Sequence, residues 1–168
     1  MPELTFVLGG ARSGKSAHAE WLVTALPSPW TYIATAQAFD DEMRERIAIH
    51  QGRRDGHWRT IEAPLDLASA LEGVGEGVPV LVDCLTLWLT NHMLAEHDLE
   101  QECGRLVEVL KKPKGAWFVV SNEVGMGIVP DNALARRFRD EAGRLNQRVA
   151  AIADRAIFMV AGIPMQMK

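Results

Sequence analysis

Short apolar runs alternate with segments of helical periodicity along the whole chain. Apolar runs at 4–8, 30–35, 58–61, 78–82, 117–120 and 156–160 predict six strands, the run at 156–160 being the last. Between them, apolar residues spaced three, four or seven apart predict helices at 16–26, 40–54, 65–71, 85–94 and 99–110. A long final helix follows Asp131, a residue type favoured at N-caps.

The strands are apolar throughout instead of alternating between apolar and polar residues. Such strands are typical of a parallel sheet that is covered on both faces. The pattern therefore predicts an α/β fold, with a mostly parallel sheet and helices on both faces. No linker or repeat interrupts it, so residues 1–168 are expected to form a single catalytic domain.

The segment between the first strand and the first helix reads GGARSGKS, which fits the phosphate-loop pattern GxxxxGK[ST]. The glycines let successive backbone N–H groups point at phosphate oxygens, and the helix N-terminus adds partial positive charge. Lys15 is expected to neutralise the outer phosphates, and the Ser16 hydroxyl to bind Mg²⁺. The motif predicts a P-loop NTPase-like domain whose nucleotide contacts are Gly9, Gly10, Ala11, Arg12, Ser13, Gly14, Lys15 and Ser16. For Arg12 two interpretations stay open: its side chain contacts phosphate, or it is simply solvated.

A carboxylate ends the apolar run at 78–82, where the second metal-binding residue of such proteins lies. Asp83 is therefore predicted to bind the metal or the nucleotide together with Ser16. The alternative is an aspartate that caps the helix beginning at Leu85.

One histidine lies on a helix that ends in two arginines. Met43 and Ile47, four residues apart, can anchor this helix and leave His50 exposed. Arg53 and Arg54 would attract a polyphosphate and favour a neutral imidazole, which is a good nucleophile toward phosphorus. From the residues alone, two interpretations of His50 stay open: a catalytic nucleophile or an ordinary surface histidine.

Composition excludes several classes of function. The formal net charge of −4 argues against a nucleic-acid-binding protein, which usually has a basic face. No apolar stretch approaches the roughly 20 residues of a membrane span. No signal peptide is apparent, and the two cysteines show no metal-ligand spacing, so we expect reduced thiols in a cytoplasmic protein.

Three segments resemble the bifunctional adenosylcobinamide kinase/adenosylcobinamide-phosphate guanylyltransferases of cobalamin biosynthesis. They are GGARSGKS at 9–16, DDEM at 40–43 leading to Arg46, Ile47 and His50, and NEVGMGIVP at 122–130. YIAT at 32–35, HWRT at 57–60 and RDEAGRLNQ at 139–147 extend the resemblance over nearly the whole chain. The resemblance implies that ATP or GTP phosphorylates adenosylcobinamide, and that GMP from GTP then passes through a guanylylated histidine to adenosylcobinamide phosphate.

The resemblance also implies residue roles. Lys15 and His50 are the catalytic residues, and further nucleotide contacts fall on Ala34, Thr35, Ala36, Gln51, Gly52, Arg53, Arg54, Glu62 and Asp83. Some relatives have Glu at the position of Asp83, so its metal contact is direct or through water. Some carry a second histidine where this chain has Ile49, which leaves His50 as the candidate on this helix. The resemblance further implies a homotrimer with active sites between subunits.

Several alternatives stay open. The chain could be a small-molecule kinase without the guanylyl step, or a nucleotide-binding scaffold; a regulatory GTPase is disfavoured because no Asn-Lys-x-Asp segment is present. A single pocket can serve both the kinase step and the guanylyl step if GTP binds in two different positions along it, or if the helix that carries His50 moves. Asn122 and Glu123 either orient substrate or satisfy the loop backbone, and Met126 and Ile128 face the corrinoid or a neighbouring subunit. Core positions are favoured over a corrinoid platform for Trp88, Trp117 and Phe118.

Overall fold

A computed structural model of the chain describes residues 1–52 and 55–168, and the side chains of Arg46, His50 and Gln51 lie outside that description. The elements are β1 (Glu3–Gly9), α1 (Lys15–Thr24), β2 (Trp30–Ala34), α2 (Asp41–Gly52), β3 (Trp58–Glu62), α3 (Leu67–Glu72), β4 (Val80–Asp83), α4 (Leu85–Leu94), α5 (Leu99–Leu110), β5 (Ala116–Asn122), α6 (Ala133–Ile152), β6 (Arg155–Val160) and β7 (Ile163–Gln166). None of the helices among the described residues combines the length and apolarity that a bilayer crossing needs.

The described strands form one sheet in the order β3-β2-β4-β5-β1-β6-β7. Neighbouring strands from β3 to β6 pair in parallel, and only β7 runs antiparallel, against β6. The predicted mostly parallel α/β fold is therefore confirmed.

Helices cover both faces of the five central strands, which explains why these strands are mostly buried and apolar. The edge strands β3 and β7 are largely exposed and depart from the predicted apolar pattern. On one face, Phe6 and Val82 pack with residues of α3, α4, α5 and α6. On the other face, Val7 and Leu81 pack with Ala19 and Val23 of α1. Consecutive strand residues thus enter two different cores, and each position excludes a polar side chain unless it finds a partner.

Two predictions about the chain's last third need correction. The N-cap of α6 is Asn132, not Asp131, because the Asn132 side chain accepts a hydrogen bond from the Ala135 N–H at 2.8 Å. The run at 156–160 is not the last strand, because β7 follows it after a turn at Ala161 and Gly162. All four β7 residues are exposed, so the strand carries no buried apolar pattern.

The strand order gathers three strand ends at one edge of the sheet. β5 lies between β4 and β1, with Gly9 opposite Asn122 and Asp83 opposite Val120. On the other side of β4, Ala34 of β2 lies opposite Asp83. Since parallel strands end at a common edge, the phosphate loop, Asp83 and the residues after Ala34 come together there.

Candidate active site

The phosphate loop connects β1 to α1 through a tight turn. A Cβ built on Gly9 would collide with Ser13 Oγ and lie 3.0 Å from the carbonyl oxygen of Met159. Gly14 is the N-cap of α1 with φ +90°, a left-handed conformation that favours glycine. The two glycines fixed by the motif are thus required by close packing and by backbone conformation respectively.

Two hydrogen bonds hold the phosphate loop in place, one within the loop and one from the turn between β6 and β7. The Lys15 ammonium donates to the Gly10 carbonyl at 3.0 Å, so its charge lies over the loop. The Gly162 N–H, in the turn between β6 and β7, donates to the Ser13 carbonyl at 2.9 Å. Sequence reasoning missed this brace because it missed β7. The Arg12 side chain is exposed.

Asp83 faces the first residues of α1. Ser16 Oγ lies 3.5 Å from Asp83 Oδ1, and the Tyr32 hydroxyl donates to Asp83 Oδ2 at 3.1 Å. Asp83 does not cap α4, because the N-cap there is Cys84 and makes no side-chain capping bond. Tyr32 was missed as an orienting residue, although a tyrosine hydroxyl in a buried strand usually needs a hydrogen-bond partner.

The oxygens of Ser16 and Asp83 suit a magnesium ion. Mg²⁺ prefers oxygen ligands about 2.1 Å away in octahedral geometry, which places adjacent ligands about 3 Å apart. The 3.5 Å between Ser16 Oγ and Asp83 Oδ1 is close to that spacing. Mg²⁺ commonly uses one or two protein oxygens and takes its other ligands from phosphates and water, so these two residues fit the ion.

The segment that follows β2 contains one fully buried residue, Thr35, and then lines a cleft. Thr35 is fully buried, and its hydroxyl donates to the Cys84 carbonyl at 2.7 Å and accepts from the Cys84 N–H at 2.9 Å. The Thr35 hydroxyl is therefore engaged inside the protein, where it holds the segment after β2 against the end of β4. The predicted nucleotide contact of Thr35 stays a prediction. Ala34 and Ala36 on either side are only half-buried.

A cleft of about 540 Å³ opens beside this segment. It brings together two of the predicted nucleotide positions, Ala36 and Glu62, with the middle of α2. Its lining is Ala36, Gln37, Ala38, Phe39, Arg44, Ile47, Ala48, Glu62 and Pro64. The mixture of apolar surface with one carboxylate and one guanidinium is of the kind that binds a small polar ligand.

The helix that carries His50 begins at the same edge of the sheet. Asp40 Oδ1 accepts from the Met43 N–H at 2.8 Å at the start of α2, and Met43 and Ile47 are half-buried, as an anchoring pair should be. Gly52 is exposed and ends the helix. The side chains of His50 and Gln51, and all of Arg53 and Arg54, lie outside the described residues.

The polar pair at the end of β5, Asn122 and Glu123, makes hydrogen bonds within the protein. The Asn122 amide donates to Thr86 Oγ1 at 2.7 Å, and the Glu123 carboxylate accepts from the Gly125 N–H within its own loop. The Glu123 N–H also donates to the Gly9 carbonyl at 2.9 Å, which ties this loop to the phosphate loop. Of the two alternatives for Glu123, its contacts support satisfaction of the loop backbone.

The aromatic and apolar residues considered as corrinoid contacts differ in solvent exposure. Trp88, Trp117 and Phe118 are all buried, which confirms core positions for them. Met126 and Ile128 are 74% and 98% exposed, and lie on the loop that follows Glu123. The three aromatic residues therefore offer no platform to a substrate.

Neither cysteine has the properties of a nucleophile. Burial raises the pKa of the Cys84 thiol, and the neighbouring Asp83 carboxylate raises it further. Burial likewise raises the pKa of Cys103, to about 11. Both thiols are free and stay protonated at neutral pH, so the chemistry of this site belongs to other groups.

Three solved structures share the fold of this chain at low sequence identity. A protein from Pyrococcus horikoshii has a TM-score of 0.58 at 10% identity, covering 99% of this chain and 86% of its own. The flagellar accessory protein FlaH from Methanocaldococcus jannaschii has a TM-score of 0.55 at 11% identity, covering 100% and 80%. An ATPase of a bacterial type III secretion system has a TM-score of 0.54 at 12% identity, covering 98% and 56%. These similarities support the P-loop NTPase fold and nothing finer.

Sequence comparison identifies the family. The chain is 51% identical over 165 residues to the bifunctional adenosylcobalamin biosynthesis protein CobP of Pseudomonas aeruginosa, covering 96% of this chain and 95% of that protein. It is 42% identical over 181 residues to the corresponding CobU of Salmonella typhimurium, covering 98% and 99%. The profile of the CobU family, described as cobinamide kinase / cobinamide phosphate guanyltransferase, matches residues 5–167. The chain therefore belongs to the cobinamide kinase / cobinamide phosphate guanyltransferase family.

Proposed function

We propose that this chain phosphorylates adenosylcobinamide with ATP or GTP, and then transfers GMP from GTP to adenosylcobinamide phosphate through a guanylylated His50. The product is adenosylcobinamide-GDP, an intermediate of cobalamin biosynthesis. As a family member the chain is a kinase and a nucleotidyltransferase. The observation that carries the proposal is the approach of Ser16 to Asp83 at the end of the phosphate loop.

The kinase step needs positioning and charge neutralisation more than covalent chemistry. Backbone N–H groups of residues 9–16 and the Lys15 ammonium would hold the phosphates. Mg²⁺ bound by Ser16 and Asp83 would neutralise charge that develops on the phosphate oxygens. The substrate hydroxyl attacks the γ-phosphorus, the bond to the β-phosphate oxygen breaks, and the hydroxyl proton is lost to solvent or a base.

The guanylyl step divides one displacement into two. A His50 ring nitrogen attacks the α-phosphorus of GTP, and pyrophosphate leaves. A phosphate oxygen of adenosylcobinamide phosphate then attacks the same phosphorus, the phosphorus–nitrogen bond breaks, and neutral imidazole returns. The position of α2, directly after the strand end at Ala34, supports this assignment. GTP would bind in two registers, or α2 would move, to serve both steps.

The proposal extends to the assembly and its location. We expect a homotrimer in the cytoplasm, with active sites between subunits. Large apolar side chains are exposed at Met126, Ile128, Ile163 and Met165, and burial of such surface favours association. Sedimentation equilibrium tests the trimer, since it should give three times the 18.6 kDa chain mass.

Labelling with GTP tests the guanylyl step. The protein is incubated with Mg²⁺ and GTP labelled at the α-phosphate, and label bound to protein is measured before and after addition of cobinamide phosphate. We expect acid-labile, base-stable label on the wild type that cobinamide phosphate removes, because a phosphorus–nitrogen bond has this stability. His50→Ala should retain no label.

His57→Ala is the matched control. His57 lies at the opposite edge of the sheet, against Trp30 at the start of β2, with its ring 63% exposed. It should label like the wild type. Phosphorylation of cobinamide by a chain that never takes up α-label would favour the kinase without a guanylyl step. Label that persists in His50→Ala would assign the nucleophile to another residue.

A further inference from the structure

A buried asparagine joins two strand ends of the candidate site. Asn91 lies on α4, is 3% exposed, and donates from Nδ2 to the Thr35 carbonyl at 2.7 Å and to the Pro64 carbonyl at 2.9 Å. Thr35 follows β2, and Pro64 follows β3. The Asn91 amide therefore donates one hydrogen bond to each of two segments that are distant in sequence but follow adjacent strands of the sheet.

Other residues of α4 reinforce the same attachment. The Trp88 indole N–H donates to the Leu65 carbonyl at 2.7 Å, and His92 Nε2 lies 3.0 Å from the same oxygen. All of these contacts reach backbone carbonyls, so they fix the course of the main chain and not the side chains of residues 35 and 64–65. The helix thus sets the separation between the ends of β2 and β3.

These two segments form walls of the 540 Å³ cleft. Ala36 directly follows Thr35, and Glu62 and Pro64 belong to the segment that Asn91 and its neighbours hold. The phosphate loop follows β1, which β4 and β5 separate from β2. Thr35 also contacts β4, since its N–H donates to the Asp83 carbonyl at 3.2 Å, but Asp83 is held as well by the pairing of β4 with β2 and β5. Loss of the Asn91 contacts therefore acts mainly on the cleft.

We propose that Asn91 is a positioning residue that sets the width of the cleft for the nucleoside part of GTP, an inference that rests on the proposed function. Loss of its two hydrogen bonds leaves the buried Thr35 carbonyl and the half-buried Pro64 carbonyl without these donors, and the cleft walls relax. Affinity for the nucleoside falls, whereas affinity for the triphosphate chain stays.

Two ligands distinguish binding of the nucleoside from binding of the triphosphate chain. Binding of α,β-methylene-GTP, which cannot transfer GMP, and of inorganic tripolyphosphate is measured by calorimetry with Mg²⁺ on wild type and Asn91→Leu. We expect the dissociation constant for the GTP analogue to rise about tenfold, since cleft walls that have relaxed in the free protein must be ordered again when the nucleoside binds. The constant for tripolyphosphate should change by less than about twofold.

Thr90→Val is the matched control on the same helix. Its hydroxyl donates to the Thr86 carbonyl within α4, so both constants should stay at their wild-type values. Equal weakening of both ligands by Asn91→Leu, or no change in either, would overturn the inference. If Asn91→Leu does not fold, the smaller Asn91→Ser decides the same comparison. A wild type that binds tripolyphosphate as tightly as the GTP analogue would instead contradict the proposed nucleoside cleft.

Discussion

Two adjacent glycines at the start of the phosphate loop differ in their surroundings. A Cβ on Gly9 would collide with Ser13 Oγ and press on the backbone at Met159, whereas a Cβ on Gly10 meets nothing within 4 Å. Neither glycine has a positive φ, so the difference is one of space and not of backbone conformation. The turn depends on Gly9 because β6 passes directly beside it.

Gly9→Ala is therefore expected to weaken binding of α,β-methylene-GTP by about tenfold or more, since overpacking of this kind costs roughly 1–3 kcal/mol and displaces the N–H groups that face the phosphates. Gly10→Ala, which adds the same methyl group in open space, should change affinity by less than about threefold. Calorimetric titration of both variants checks this. Equal affinities would show that packing against Ser13 and Met159 does not shape the loop.

The pairing of Ser16 with Asp83 could be predicted from sequence, but the surrounding polar contacts could not. Both residues end or follow strands of the buried type, so a parallel sheet brings them to one edge. Thr35 and Asn91 lie in apolar segments, and their partners are backbone carbonyls and amides of distant residues. A sequence pattern shows that a buried polar residue needs a partner, but does not identify that partner.

The long helix α6 shows how one residue can decide where an element begins. Asp131 and Asn132 are both residue types that cap helices. Asn132 has an extended backbone and accepts from the Ala135 N–H, while α6 begins at Ala133. Sequence reasoning located the helix but misplaced its cap by one residue, because the two residue types are equivalent in capping preference.

Asn132→Ala should lower the free energy of unfolding by about 1 kcal/mol, because it removes an acceptor for a helix N–H that has no partner within the helix. Asp131→Ala, one residue away, should change it by less than about 0.5 kcal/mol. Urea denaturation of the two variants measures the difference. A larger loss from Asp131→Ala would restore Asp131 as the cap.

The edge strand β7 was invisible to pattern analysis for physical reasons. All its residues are exposed, and it contains Pro164, which lacks the N–H that an interior strand would use. At a sheet edge neither property is unfavourable. The turn that leads into β7 nevertheless braces the phosphate loop through Gly162, so an exposed segment contributes to the site.

For the whole molecule, the alternation of strands and helices fixes the class of fold but not the order of the strands. Strands with two buried faces require helices on both sides, which the sequence predicted. That β5 lies between β1 and β4 depends on pairings such as Gly9 with Asn122, far apart in the chain. Apolar runs of similar composition do not distinguish among possible neighbours.

A buried histidine that is paired with an exposed one makes the stability of the whole molecule depend on pH. His92 is 2% exposed, and since the Leu65 carbonyl can only accept, His92 Nε2 carries the hydrogen. Its Nδ1 then accepts from His97 Nδ1, 2.9 Å away. Burial lowers the pKa of His92; the hydrogen bond to the Leu65 carbonyl and the Glu102 and Asp66 carboxylates raise it, each more weakly. The neutral form is therefore the one that the fold accommodates.

Because the pKa of His92 is lower in the folded state than its ordinary value near 6.5, the unfolded chain takes up this proton first as pH falls. The stabilisation is present above about pH 6.5 and declines below it, by up to about 1.4 kcal/mol per pH unit. His92→Gln, whose amide can replace the Nε2 donor, should reduce this slope between pH 6.5 and 5.5 in urea denaturation. A residual slope is expected, since burial also lowers the pKa of His18. A variant as sensitive to acid as the wild type would show that His92 is not a source of the dependence.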